Sequence, residues 1–367
     1  MDLARDDRTV LTLDAGGTTF TFSALRGGEE VVQPFTLPSH GDDLGCCLAI
    51  LKEGFTRART ESGGAQALSF AFPGPADYPN GIIGDLKNLP AFRGGVPLGP
   101  LLAETFGAPV FINNDGDLFA YGEAMAGLLP EVNGMLEAAG SPKRFRNLLG
   151  VTLGTGFGAG LVLDGRLHRG DKAAGGEIWC LRNKLHGESF AEESVSIRGV
   201  RQVYAMVAGL PLEAVPEPRE LHAIAQGQQT GQREAALEAF RRLGEVAGDA
   251  VANALSLVDG LVVVGGGLAG AGDLILPALV AEMNAPLRTL KGAPIDRTEL
   301  RAYNLEEGGD RAAFLKGDPR WLTVPGTDRA VPYDASKRTG VGLTRLGTSR
   351  ATALGAYAFA LDALDRS

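Results

Sequence analysis

The chain has 367 residues, 44% of them hydrophobic, and a formal net charge of −9; the length predicts two domains with a substantial core, and the acidic balance argues against nucleic acid as a partner, which would call for a clustered basic face. Three cysteines, Cys46 and Cys47 adjacent and Cys180 alone, supply neither a disulfide framework nor a Cys-x-x-Cys metal cage. Apolar runs such as Leu261 to Val264 end in glycine, far short of the roughly 20 residues a membrane helix requires, and the charged start MDLARDDRTV holds no apolar leader, so the expectation is a cytoplasmic protein with no membrane partner.

Glycine is the unusual component, with 52 residues gathered at the ends of predicted strands. Thr9 to Asp14 is a β-rich run that stops at Ala15-Gly16-Gly17-Thr18-Thr19, and Phe20 to Leu25 follows as a second strand. A helical stretch from Leu44 to Arg59 leads to a buried strand, Ala67 to Phe72, closed by Pro73-Gly74-Pro75. Beyond a loop rich in Gly, Pro and Asn, Leu98 to Phe106 reads as helix, Pro109 to Ile112 as a strand delivering Asn113-Asn114-Asp115, and Gly116 to Ala126 as a helix closing the first lobe. The chain then repeats its opening: Leu148 to Leu153 is an apolar strand ending in Gly154-Thr155-Gly156, and Gly160 to Leu163 is the return strand before an Asp164-Gly165 turn. Helices over Glu192 to Ala208 and Gln232 to Ser256 precede a buried strand, Gly260 to Val264, and a third turn, Gly265-Gly266-Gly267. The polar stretch Lys291 to Arg345 reads as loops with short strands, and Ala351 to Leu364 as a C-terminal helix.

A strand ending in glycines presents several backbone N–H groups at one point with no side chain in the way, which suits a polyanionic phosphate. Any one such turn is equally readable as a tight hairpin; three, each after a buried strand, point to a nucleotide. The carboxylate of Asp14 beside phosphates is repulsive unless a cation bridges them, and Mg²⁺ keeping its waters is the natural bridge. Thr18 and Thr155 can donate hydroxyl hydrogen bonds to phosphate oxygens. A Walker A loop would need Gly-Lys-Ser/Thr, and a dinucleotide fingerprint would open a helix; the first turn here opens a strand instead.

Strand, glycine turn, strand resembles the actin, hexokinase and sugar-kinase superfamily. Leu13-Asp14-Ala15-Gly16-Gly17-Thr18-Thr19 is similar to its first phosphate motif, Leu153-Gly154-Thr155-Gly156-Phe157-Gly158-Ala159-Gly160 to its second, and Val262 to Gly267 with Leu268 to its adenosine motif. Over most of its length the chain resembles the ROK family of bacterial sugar kinases and related repressors. The residues that carry this are Phe72-Pro73-Gly74-Pro75, Asn88-Leu89-Pro90, Asn113-Asn114-Asp115, Gly170 followed by Gly176-Glu177, Glu192 with Ser196, and Leu346-Gly347 leading to Leu354-Gly355-Ala356, all in the family's order. The resemblance implies an α/β fold of two ribonuclease-H-like lobes with an ATP and sugar cleft between them: residues 1–126 completed by the C-terminal helix 351–367, and residues 127–350 as the nucleotide lobe. It implies Asp115 as catalytic base, sugar hydroxyls held by Asn88, Asn114, Asp115, Glu177 and Glu192, Gly74 lining the sugar pocket, and ATP on Asp14, Gly16, Gly17, Thr18, Thr19, Gly154, Thr155, Gly156, Gly265, Gly266 and Gly267. The chemistry agrees, because phosphoryl transfer needs positioning, charge neutralisation and one carboxylate to take the hydroxyl proton. An Asp before a helix is also a common N-cap, a role for which Asp115 and Asp117 compete, and an isolated glutamate such as Glu177 or Glu192 is often only a solvated charge.

The sequence departs from the family pattern at Gly176-Glu177-Ile178-Trp179-Cys180: Trp179 and Cys180 stand where a Gly and a zinc-binding His are usual, and the cysteine cluster is missing. A tetrahedral zinc site cannot be assembled, so none is expected; His186 nearby reads as a surface residue. The absent His normally touches the sugar, which implies an altered sugar contact. The expectation is therefore an ATP- and Mg²⁺-dependent kinase of a hexose hydroxyl, glucose first with N-acetylhexosamines and fructose as alternatives, acting as a homodimer. The competing readings are a sugar-binding regulatory pseudokinase and a ROK-type regulator, and with only about eight residues ahead of the first strand no DNA-binding helix-turn-helix is expected.

Overall fold

The computed structural model describes residues 2–74, 76–84 and 90–366; Pro75, Asn88 and Leu89 of the sequence motifs lie outside the described residues. In chain order the elements are β1 (Val10–Ala15), β2 (Thr19–Arg26), β3 (Glu29–Pro38), α1 (Leu44–Glu61), β4 (Ala67–Ala71), the short pair β5 (Ala76–Asp77) and β6 (Ile82–Ile83), α2 (Leu98–Phe106), β7 (Val110–Asn113) and α3 (Asp115–Ala126). Then come α4 (Leu128–Ala138), β8 (Leu148–Leu153), β9 (Phe157–Leu163), β10 (Arg166–His168), α5 (Ile197–Ala208), α6 (Pro218–Ala225), α7 (Arg233–Val258), β11 (Leu261–Gly265) and α8 (Gly272–Met283). The remainder holds the hairpin β12 (Leu287–Arg288) and β13 (Pro294–Ile295), β14 (Arg301–Asn304), α9 (Gly308–Lys316), the hairpin β15 (Pro319–Thr323) and β16 (Ala330–Asp334), β17 (Arg338–Leu343) and α10 (Thr348–Leu364). Among the described residues no helix is long and apolar enough to cross a membrane.

The chain divides into two compact units, one of Met1–Gly127, Gly160–Gly175 and Leu346–Ser367, the other of Leu128–Ala159 and Gly176–Arg345. The first therefore takes in the β10 region and all of α10, beyond the sequence-expected segments.

The first unit is built on the sheet β3-β2-β1-β4-β7. β1 is buried over its first four residues because both sheet faces are covered. A phenylalanine-rich cluster, including Phe20, Phe22, Phe55, Phe70 and Phe72, lies between the strands and α1; the Phe22 and Phe55 rings meet edge to face, centroids 5.2 Å apart. Ala71, Leu118 and Ala356 form a second cluster where the sheet meets α3 and α10. Here the two helices approach so closely that a Cβ built on Gly122 would lie 1.9 Å from the Ala351 carbonyl oxygen, and one on Gly355 would lie 1.9 Å from that of Leu118.

The second sheet runs β10-β9-β8-β11-β17-β14, with the unit boundary falling inside β9. β8, β11, β17 and β14 are parallel neighbours, and in the second unit α7 and α8 pack together beside them. The segment from Lys291 to Arg345 holds the short strands expected of it, two of them in this sheet, and adds the helix α9, which was not expected; five of the six β17 residues are buried. Its sequence, RTGVGL, reads as polar because it starts with an arginine. Arg338 is nevertheless fully buried, its Nε donating to the Phe314 carbonyl at 2.5 Å and its Nη1 paired with Asp334 at 2.7 Å, so the charge is compensated inside. The helix expected from Glu192 begins at Ile197 instead, because the Ser196 side chain accepts from the Gly199 N–H at 3.2 Å and caps it there.

Candidate functional site

In the first unit, strand register fixes the layout. β1 pairs in parallel with β4 so that Asp14 lies beside Ala71, and β4 with β7 so that Ala71 lies beside Asn113. Asp14 and the Asn113-Asn114-Asp115 run therefore emerge at the same end of the sheet, the carboxyl end of three parallel strands, where open α/β sheets place their ligands. The first glycine turn is closed by the Gly16 N–H donating to the Thr19 carbonyl at 2.9 Å. A Cβ at Gly16 would sit 2.8 Å from that oxygen, so glycine is required there. Gly17, Thr18 and Thr19 are exposed. The buried Ser39 pins the turn from behind, its hydroxyl donating to the Gly17 carbonyl at 2.7 Å and its N–H to that of Thr18 at 2.9 Å.

The helix α3 begins at Asp115, but its cap is Asn114, whose Oδ1 accepts from the Gly116 N–H at 2.8 Å. Capping is thus done by the residue before, and Asp117, the other candidate, is buried in the first turn. Asp115 is exposed at the positive end of the helix, with Oδ1 2.8 Å from the same N–H. A cavity of about 520 Å³ is lined by Asp14 and Asp115 with Thr12, Ser23, Thr348 and Ser349. Asp14 opens onto it, yet burial first, and the charge of Asp115 second, push its carboxyl above its ordinary value. Gly74 is exposed, and a Cβ there would come 3.0 Å from the Tyr78 hydroxyl, which donates to the Phe72 carbonyl at 2.9 Å.

In the second unit the other two glycine turns adjoin. β8 and β11 pair so that Gly265 lies beside Thr152, which brings Gly265-Gly266-Gly267 next to Gly154-Thr155-Gly156. Gly266 has φ +88, and a Cβ on it would stand 2.3 Å from the Leu153 carbonyl oxygen, so no other residue fits. Beside Gly267 lies a pocket of about 320 Å³ walled by Pro218, Arg219, His222, Phe240 and Leu268. His222 Nε2 and Asp273 Oδ1 are 2.8 Å apart. No glycine or charge pattern marked α6 and α7 as walls of a site; only their return to the third turn shows it.

Glu192 stands at the second glycine turn. Its Oε2 accepts from the Phe157 N–H at 3.0 Å, and a Cβ on Gly156 would come 2.7 Å from that oxygen. Glu177 is exposed and accepts from the indole N–H of Trp179, while the Cys180 thiol donates to its carbonyl at 3.0 Å. Trp179 thus occupies the glutamate that the family pattern assigns to sugar. Among the described residues no group of three or more His, Cys, Asp or Glu side chains is placed to hold a metal ion.

A family model for the ROK family matches residues 10–308. The chain belongs to the ROK family. It is 28% identical over 321 residues to the N-acetyl-D-glucosamine kinase of Photobacterium profundum, covering 82% of this chain and 97% of that protein. It is 26% identical over 301 residues to the glucokinase of Halalkalibacterium halodurans, covering 76% and 86%. The crystal structure of a glucokinase from Parabacteroides distasonis superposes with a TM-score of 0.90 at 54% identity over 99% of both chains. A ROK glucokinase of Streptomyces griseus, solved with glucose and AMPPNP, shares the fold at TM-score 0.59 and 18% identity, over 95% of this chain and 98% of that one. The α/β architecture of this ROK protein is therefore that of the actin-like sugar kinases.

Proposed function

We propose that this ROK-family sugar kinase transfers the γ-phosphoryl group of ATP to a hexose hydroxyl, the 6-hydroxyl of glucose first, with Asp115 as the general base. The observation that carries the reading is the register that brings Asp14 and Asp115 to one sheet end and one cavity, with the helix cap on Asn114 rather than on Asp115. A carboxylate in that position accepts the hydroxyl proton as the oxygen attacks phosphorus. The 54% identity to a glucokinase favours glucose; the 28% identity to an N-acetyl-D-glucosamine kinase makes that sugar the first competitor.

With Gly16 closing the turn, Gly17 to Thr19 offer exposed N–H and hydroxyl donors to the terminal phosphates, and Gly154 to Gly156 with Gly265 to Gly267 would supply the remaining nucleotide contacts. The pocket of Arg219, His222 and Phe240 beside Gly267 fits an aromatic base. Two carboxylates facing one cavity, with the Asp14 carboxyl raised in part by the charge of Asp115, suit a hard divalent cation. Asp14 would hold Mg²⁺ through water, and the ion would neutralise charge on the transferring phosphoryl group. Asn114, Glu177 and Glu192, with Asn88 and Gly74, complete the proposed sugar contacts.

A panel of glucose, N-acetylhexosamines and fructose with a coupled ADP readout tests the substrate, and Asp115→Asn tests the base. The expected result is a kcat lowered by roughly 10² to 10⁴ with sugar binding retained. Near wild-type turnover in that variant would remove Asp115 from the mechanism, and ADP release on none of the sugars would overturn the hexose reading.

A further inference from the structure

Asn113, two residues before Asp115, is the last residue of β7 and is fully buried. Its Oδ1 accepts from Arg169 Nη1 at 2.7 Å, while its Nδ2 finds no acceptor among the described residues. The hydrogen bond from Arg169 thus satisfies the oxygen of this buried amide, and without it neither polar atom of the side chain would be bonded among the described residues. Arg169 is itself held: its guanidinium lies 4.6 Å from the centre of the Phe359 ring on α10. Burial pushes its guanidinium below its ordinary value, and the charge of Asp117 in the first turn of α3 opposes this. The Arg169 carbonyl also accepts from the Gly175 N–H at 2.8 Å, closing the loop that starts at Gly170.

These contacts converge on the strand-to-helix junction. Asn113 is fixed from the sheet side by its carbonyl, which accepts from the Phe72 N–H at 3.1 Å, and from the side-chain end by Arg169. Asn114 then caps α3 and Asp115 follows. We propose that Arg169, through Asn113, is a positioning residue for the Asp115 carboxylate, a role resting on the reading of Asp115 as base. A displacement of about 1 Å at a reacting group can cost on the order of 10² in rate, so the hydrogen bond contributes to turnover out of proportion to its place behind the site.

The test is a cycle of Arg169→Met and Asp115→Asn in the full-length enzyme, reading kcat, both KM values and thermal unfolding. Arg169→Met alone should lower kcat by roughly 10- to 100-fold with KM for ATP within about twofold. In the Asp115→Asn background it should cause no further loss, because nothing remains to be positioned. Asn113→Asp, which keeps an acceptor for the guanidinium, should retain most of the turnover. If Arg169→Met does not fold, Arg169→Lys, which keeps the charge but loses the fork, enters the same cycle. Wild-type kcat in the arginine variant beside an inactive Asp115→Asn would overturn the positioning role and leave the base assignment standing. Equal losses from the arginine change in both backgrounds would make its effect structural. Full turnover in Asp115→Asn alone would instead overturn the base assignment on which the proposal rests.

Discussion

The seam between α3 and α10 in the first unit offers a sharp perturbation. A methyl group added at Gly355 would lie 1.9 Å from the Leu118 carbonyl oxygen and 3.0 Å from the Gly122 nitrogen, both on α3. Carbon and oxygen that are not bonded need roughly 3.2 Å or more, so Gly355→Ala must part α10 from α3 by about 1 Å. The obstacle is backbone, and no rotamer change relieves it. Overpacking typically costs about 1–3 kcal/mol, and a backbone obstacle belongs at the upper end. At roughly 2–4 °C per kcal/mol for a domain of this size, the expected fall in Tm is about 6–12 °C by far-UV circular dichroism. Gly122 faces the Ala351 carbonyl oxygen across the same seam, also at 1.9 Å, so Gly122→Ala should cost a similar amount. The double variant should cost much less than the sum, since one parting of the helices relieves both clashes. Because α3 starts at Asp115, kcat should fall with stability. A Tm within about 1 °C of wild type for either single variant, or strict additivity in the double, would refute the argument from the shared seam.

Asp14 gives a pH-dependent test. Its folded-state pKa lies above the ordinary 3.8, from burial and then from Asp115, so the folded protein holds that proton more tightly than the unfolded chain, and the ionised carboxylate opposes folding above the raised pKa. Asp14→Asn should therefore raise Tm at neutral pH while impairing use of ATP·Mg²⁺, the gain fading as pH falls through the raised pKa to below 3.8; a gain independent of pH would contradict the cause given. Glu192→Gln keeps an acceptor for the Phe157 N–H, so KM for ATP should hold, while loss of the proposed charged hydrogen bond to the sugar should raise KM for the sugar about tenfold or more. An unchanged sugar KM would confine Glu192 to the glycine turn. Dialysis against a strong chelator should leave thermal unfolding of the apo-protein unaltered, because the sequence lacks the cysteine cluster that folds around zinc; about one zinc per purified chain would refute this.

What could be read from the residues alone was whatever depends on local backbone. Gly16 and Gly266 were legible as turn residues because three buried strands each run into glycines, and the close carbonyls at 2.8 and 2.3 Å supply the reason glycine is needed there. Asp115 was singled out by motif order, but the identity of the cap was not legible, since Asn114 and Asp115 are both good caps and both accept from the Gly116 N–H; the extended backbone of Asn114 makes it the cap and Asp115 the first helical residue. The burial of β17 was not legible, because a buried arginine is rare and its partner Asp334 and the Phe314 carbonyl come from other elements. Ser39, Arg169 and the walls of the pocket beside Gly267 share that difficulty. A serine or arginine carries no mark of being the one that pins a turn, as Ser39 does for Gly17 and Thr18 from some twenty positions away. In this chain the glycine turns and motif carboxylates proposed to face the ligands are held in place by unremarkable polar residues. Substitutions at these polar residues should therefore change turnover in ways that no motif would foretell.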